Sequence, residues 1–203
     1  RGMKEKIEPV IRKVRDLFVK KGIKNVTMDD VASHLGISKK TLYTFFSDKD
    51  KLVEEVLFFH ISEFNKIFME LAKQKMNAIE KLYKVSELVG QLIGSVPQVI
   101  LNDLQKYHPE VLTRFVEFKR SHILYQVKRN IEEGIKEGLY RKNVDPEIAS
   151  RSYLALSETL FDKTFFPKGK YKTGDVFNEL FTYHIRGIAS EKGLKHIDNY
   201  NKK

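Results

Sequence analysis

The chain has 203 residues, 41% apolar and 32% charged, a composition ordinary for a globular protein and a length sufficient for one large domain or two small ones. It contains no cysteine, which excludes a disulfide framework and a thiolate metal site. The formal charge of +10 is unevenly spread: residues 1–52 hold 13 Lys/Arg against 7 Asp/Glu, and the remainder 24 against 20. A basic excess gathered in the first quarter fits a polyanion partner, although a solvated lysine-rich surface gives the same count. No apolar run approaches the ~18 residues of a membrane span, and no signal-peptide pattern opens the chain. A cytoplasmic protein with no membrane partner is expected.

Nearly every segment carries helical periodicity. Ile7, Val10, Ile11, Val14, Leu17 and Phe18 form one apolar face of a first helix. That helix should stop at Lys21-Gly22, with Gly22 as its C-terminal cap and Pro9 near its first turn. Thr27 followed three residues later by Asp30 resembles a capping box and starts a second helix. Leu35-Gly36-Ile37-Ser38 reads as a tight interhelical turn, Gly36 supplying the left-handed backbone and Ser38 the cap of a short third helix. Ser47 or Asp48 caps a fourth. Val31, Leu35, Leu42, Phe45 or Phe46, and Leu52 should close a small core with Phe18.

The fourth helix runs without a breaker from about Lys49 into the seventies, so it is expected to belong to both halves and to be able to carry motion between them. Further helices are expected over 78–94, 97–106, 109–139 and 145–166, the last opening with Asp145 before Pro146 at its first position. A Lys/Gly-rich loop then leads to a last helix over 174–192, and the polar tail from Gly193 should fray. Internal repeats, low-complexity segments and strand patterns are not evident.

The segment from Thr27 to Leu52 is the most informative. Its short helix presents Ser38, Lys39, Lys40, Thr41, Tyr43 and Thr44, side chains suited to phosphates and base edges, in a helix-turn-helix that fits a major groove. The six histidines, at 34, 60, 108, 122, 184 and 196, lack metal-ligand spacing, and neither a nucleophile elbow nor a phosphate-binding glycine loop is present. No catalytic residue, metal or cofactor is expected.

Phe18, Gly22, Thr27, Val31-Ala32, Leu35-Gly36-Ile37-Ser38, Thr41-Leu42-Tyr43, Phe46, Lys49 and Leu52 together resemble the tetracycline-repressor (TetR) family of bacterial transcription regulators. The rest of the chain matches in layout: Pro109-Glu110 opening a long helix, the stretch Ile131 to Gly138, Asp145-Pro146-Glu147, and a closing Ile185-Arg186-Gly187. The resemblance implies an all-α fold with an N-terminal three-helix helix-turn-helix DNA-binding domain over 1–48, followed by a helical-bundle effector-binding and dimerisation domain over 49–203. It places the recognition helix on Ser38 to Phe45. Lys39, Lys40, Thr41 and Thr44 then face the major groove, and Tyr43, Lys49 and Thr27 reach phosphate. Phe45 stands where many members carry His or Tyr; phenylalanine has nothing to donate to a phosphate, and its ring is expected to pack.

The family habit also implies a pseudo-palindromic double-stranded DNA operator, a small apolar or aromatic effector, and a homodimer through the last two helices. Phe64, Phe68, Leu88, Leu92, Phe115, Phe118, His122, Tyr125, Tyr153 and Glu158 are the candidate pocket. An aromatic stripe at this spacing is more often a packed core than a ligand box. Ser152, Ala155, Leu156 and Thr159, with Phe177, Leu180, Phe181, His184 and Ile188, either pair with a symmetry mate or complete the core. The rival readings are a regulator without an effector and an interaction module that has lost specific DNA binding.

Overall fold

The computed structural model describes residues 2–92, 97–160, 162, 164–167 and 169–200. The helices among these residues are α1 (Gly2–Lys21), α2 (Met28–Leu35), α3 (Lys39–Phe45), α4 (Lys49–Lys73), α5 (Ala78–Leu92), α6 (Gln98–Tyr107), α7 (Pro109–Lys136), α8 (Pro146–Thr159), α9 (Thr173–Ile188) and α10 (Glu191–Tyr200). Among the described residues no strand forms, and an isolated bridge joins Tyr140 to Ala189, so the fold is all-α. The chain divides into two compact units: residues 1–67 with 96–119, and residues 68–95 with 120–203. The ranges of α4 and α7 run through this division.

The first unit is built on the apolar faces legible in the sequence. Val14, Phe18, Val31, Leu42, Phe46 and Leu52 are buried around one core, joined by Ile100 and Leu104 of α6 and Val111 of α7. Of the two adjacent phenylalanines, Phe46 fills the core, while Phe45 packs half-buried at its edge. α1 ends as the sequence suggests: Gly22 takes a φ of +79° and its N–H bonds to the carbonyl of Phe18 at 2.8 Å. Pro9, however, lies well inside α1, because the helix begins at Gly2. A proline there leaves one carbonyl a turn earlier without its usual N–H.

The second unit has a separate core. Ile79, Ile131, Tyr140, Phe181, Ile185 and Ile197 are buried in it. Helix ends differ from expectation, α7 closing at Lys136 rather than 139 and α9 at Ile188 rather than 192. α8 stops at Thr159, not 166, because Asp162 opens a turn: its carboxylate accepts the N–H and the hydroxyl of Thr164, and its carbonyl accepts the N–H of Phe166. The tail does not fray at Gly193. Ser190 caps a further helix, α10, by accepting the Gly193 N–H at 3.1 Å, Ile197 is buried, and Tyr200 stacks on Tyr83 at 4.5 Å. The signal was present as Leu194, Ile197 and Tyr200 at helical spacing behind a serine.

Candidate nucleic-acid interface

The local chemistry of residues 27–49 fixes three short segments against one another. Thr27 and Asp30 form a complete capping box: the Thr27 hydroxyl accepts the Asp30 N–H at 3.1 Å and Asp30 accepts the Thr27 N–H at 2.8 Å. Such a cap contributes about 1 kcal/mol, and the Thr27 hydroxyl, which donates to the Asp30 carboxylate at 2.6 Å, together with the Thr27 N–H holds that carboxyl below its ordinary range. Gly36 closes α2 with φ +68°, and its N–H reaches back to the carbonyls of Ala32 and Ser33. This turn lets Ser38 begin α3 directly, its hydroxyl accepting the Thr41 N–H at 3.0 Å. Asp48 caps α4 through the Lys51 N–H at 2.8 Å.

α3 is thereby presented with one side down. Leu42 is buried, whereas Lys39, Lys40, Tyr43 and Thr44, spaced every three to four residues, are exposed. Ser38 and Thr41 share a hydrogen bond of 2.8 Å between their hydroxyls, and Thr44 donates to the Thr41 carbonyl at 2.6 Å. Those bonds hold both threonine hydroxyls in place. Lys39 reaches back to Asp29 of α2 at 2.8 Å, a hydrogen-bonded ion pair that raises the lysine above its ordinary pKa. Lys40 and Tyr43 stand free of such a bridge in the exposed face. Lys49 differs from the other cations: it is half-buried, and its ammonium donates to the Lys24 carbonyl at 3.4 Å. Burial pulls its pKa down, against the opposing carboxylates of Asp103, Asp50 and Asp30. All eight sequence-named positions lie in the first unit, between the cap of α2 and the first turn of α4.

Two residues beside this region were not singled out from sequence. Asp103, buried in α6, accepts the Lys24 N–H at 2.9 Å. His108, buried at the end of α6, lies 2.5 Å from Asp50 near the start of α4. A carboxylate between the apolar Ile100 and Leu104 was the available signal, since a charge on a buried face demands a partner.

The candidate effector residues are distributed over both units. The side chains of Phe64, Phe68 and Leu92 lie outside the described residues. Phe115 and Phe118 belong to the first unit and pack edge-on against Phe58. Of those in the second unit, Tyr125 is 60% exposed and Glu158 is ion-paired with Arg120. Leu88 and His122 are half-buried, and burial lowers the His122 pKa. Tyr153 borders a crevice of about 10 Å³, roughly one water in size, with Leu156, Ser157, Leu160, Phe177, Leu180 and Phe181. Phe177, Phe181, His184 and Ile188 complete their own chain's core.

A short helix seated by a glycine turn, capped at both neighbours and exposing two lysines, a tyrosine and a threonine, defines a helix-turn-helix DNA-binding protein. Residues 11–56 match the model of bacterial regulatory proteins of the tetR family. The HTH-type transcriptional regulator YhgD of Bacillus subtilis is 30% identical over 154 residues, covering 68% of this chain and 75% of that one. The HTH-type transcriptional repressor KstR2 of Rhodococcus jostii is 23% identical over 185 residues, covering 86% of each. Among solved structures, a transcriptional regulator from Cytophaga hutchinsonii superposes with a TM-score of 0.73 at 20% identity, covering 91% of this chain and 99% of that one. FadR of Bacillus subtilis, solved in complex with stearoyl-CoA, gives 0.62 at 18% identity over 88% and 97%. The chain belongs to the tetR family of bacterial regulatory proteins and is a DNA-binding transcriptional regulator.

Proposed function

We propose that this protein is a cytoplasmic repressor that binds a pseudo-palindromic operator as a homodimer and is released from it by a small apolar or aromatic effector. Residues 1–48 read the DNA, and residues 49–203 carry the effector site and the dimer contacts. The observation that supports the DNA reading most is the exposed face of Lys39, Lys40, Tyr43 and Thr44 opposite the buried Leu42. Lysine donates to guanine O6 and N7, and a threonine methyl contacts thymine. Tyr43, Lys49, Thr27 and Ser38 serve phosphates, which fix register and affinity rather than sequence. Thr27 meets a phosphate only by sharing a hydroxyl already given to Asp30 at 2.6 Å.

The dimer is supported by the outward side of α8, where Ile148 and Leu156 are exposed with Ser152 and Ala155 between them, and by exposed Tyr183 on α9. Apolar and small groups left in water on adjacent helices suit an isologous contact. Two recognition helices would then enter successive major grooves about 34 Å apart or somewhat more. The repressor reading draws on KstR2, a repressor, and the effector reading on FadR, seen with stearoyl-CoA.

Selection from a random duplex pool at moderate salt tests the proposal. An enriched inverted repeat supports the dimeric reader, and binding without enrichment overturns it. Release of the selected duplex by long-chain acyl-CoA, or by another apolar ligand that raises the melting temperature, tests the effector.

A further inference from the structure

The end of α6 meets the α1–α2 loop and the start of α4 within the first unit. Lys49 donates to the Lys24 carbonyl, Asp103 accepts the Lys24 N–H, and His108 holds Asp50. The Lys24 side chain then turns toward Tyr107. The ammonium groups of Lys24 and Lys106 lie 5.4 and 5.5 Å from the centre of that one ring. Tyr107 is 39% exposed, and the hydrogen bond from Lys24 foremost, then the nearby charge of Lys106, hold its phenol below the ordinary tyrosine pKa.

Among the described residues neither ammonium is ion-paired with a carboxylate. The acidic groups nearby are spoken for: Asp103 is buried on the Lys24 N–H, and Asp50 is taken by His108. Two like charges gathered on one phenol repel each other, and a doubly coordinated anion would relieve that repulsion. Two lysines and a phenol hydroxyl are the donor set for a phosphodiester. The cluster adjoins Lys49 through Lys24, and Lys49 is itself placed on phosphate above.

We propose that Lys24, Lys106 and Tyr107 form a second clamp on the DNA backbone, beyond the half-site that α3 reads. α6 then contributes directly to operator affinity, through a sequence-independent contact. The proposal rests on the recognition-helix reading only for its location.

The test uses the full-length protein and the selected inverted repeat in two lengths, one ending flush with the half-sites and one extended by half a helical turn at each end. Wild type should bind the longer duplex about three- to tenfold more tightly. Lys106→Gln with Tyr107→Phe, and Lys24→Gln separately, should abolish that preference and lower the salt slope by about one unit, with an unchanged melting temperature. Equal losses on both duplexes, or no loss on either, would overturn the clamp; a change confined to melting temperature would mark the cluster as surface packing and overturn it too. Lys39→Ala should weaken both lengths alike. If it changes neither, the recognition helix is misplaced, while the length comparison still judges the clamp.

Discussion

Asp103 of α6 accepts the backbone N–H of Lys24 at 2.9 Å, and so fastens α6 to the loop that follows α1. The same carboxylate oxygen lies 3.1 Å from where a Cβ on Gly22 would stand. Gly22 is therefore required twice, by its positive φ and by the acidic group above it. Asp103→Ala would leave a part-buried N–H without its acceptor, which costs about 1 kcal/mol. Its melting temperature should fall by several degrees. Asp103→Asn keeps an acceptor oxygen and should recover most of the loss. Thermal unfolding of both variants checks this, and an equal fall in the two would show that charge rather than hydrogen bonding matters.

Asp29 should act against DNA affinity. Its carboxylate pairs with Lys39 at 2.8 Å, on the surface where a phosphate or guanine has to be met. Both partners are exposed, so their mutual attraction adds little to folding. Asp29→Asn should leave the melting temperature unchanged and strengthen operator binding severalfold, because the lysine no longer gives up a partner and a negative charge leaves the interface. Titration of the selected duplex at several salt concentrations reads this, and weaker binding would contradict it.

The DNA-binding region was legible because its chemistry is local. Caps at Thr27, Ser38 and Asp48 are set by residues within three positions, and Gly36 declares its own backbone state. Leu42 and Phe46 follow from helical spacing alone. Distant partners were not legible. Nothing near Asp103 in the chain announces Lys24, 79 residues away. The end of α8 was missed because the turn at Asp162 interrupts a periodicity that continues to Phe166. Nor were the neighbours of the candidate effector residues legible: Tyr125 is 60% exposed, Glu158 pairs with Arg120 and Tyr153 borders a crevice, and one stripe of aromatic spacing cannot say which neighbour covers it.

Gly134, the glycine of α7, should resist replacement. The ring of Tyr140 lies directly where its Cβ would be. Tyr140 is fixed there: it is buried, its hydroxyl donates to Asn130 at 3.1 Å, and Asn130 donates to the Ala78 carbonyl at 2.8 Å. In an open helix Gly→Ala stabilises by about 1 kcal/mol. Here the ring must move, so Gly134→Ala should destabilise by about 1–3 kcal/mol. Gly134→Ala with Tyr140→Leu should be milder than the sum of the two single changes. Chemical denaturation of the three variants measures the coupling, and strict additivity would show that the ring does not confine this position.

His184 gives the second unit a pH dependence of definite sign. The imidazole is 8% exposed, sits 4.8 Å from the Tyr153 ring, and has no hydrogen-bond partner for its Nε2 among the described residues. Burial pushes its pKa down from 6.5 to about 4. Between those values the unfolded chain binds a proton that the folded chain refuses. The stabilising contribution is thus complete above pH 6.5 and is lost as pH falls toward 4, to a total of about 3 kcal/mol. Burial lowers His60 and His122 as well, with the same sign, so the informative quantity is the difference between wild type and His184→Leu. Wild type should lose stability relative to that variant on acidification from pH 7 to 5, before most carboxylates titrate. Parallel stability–pH curves would show that His184 is hydrated in the folded protein and does not set this dependence.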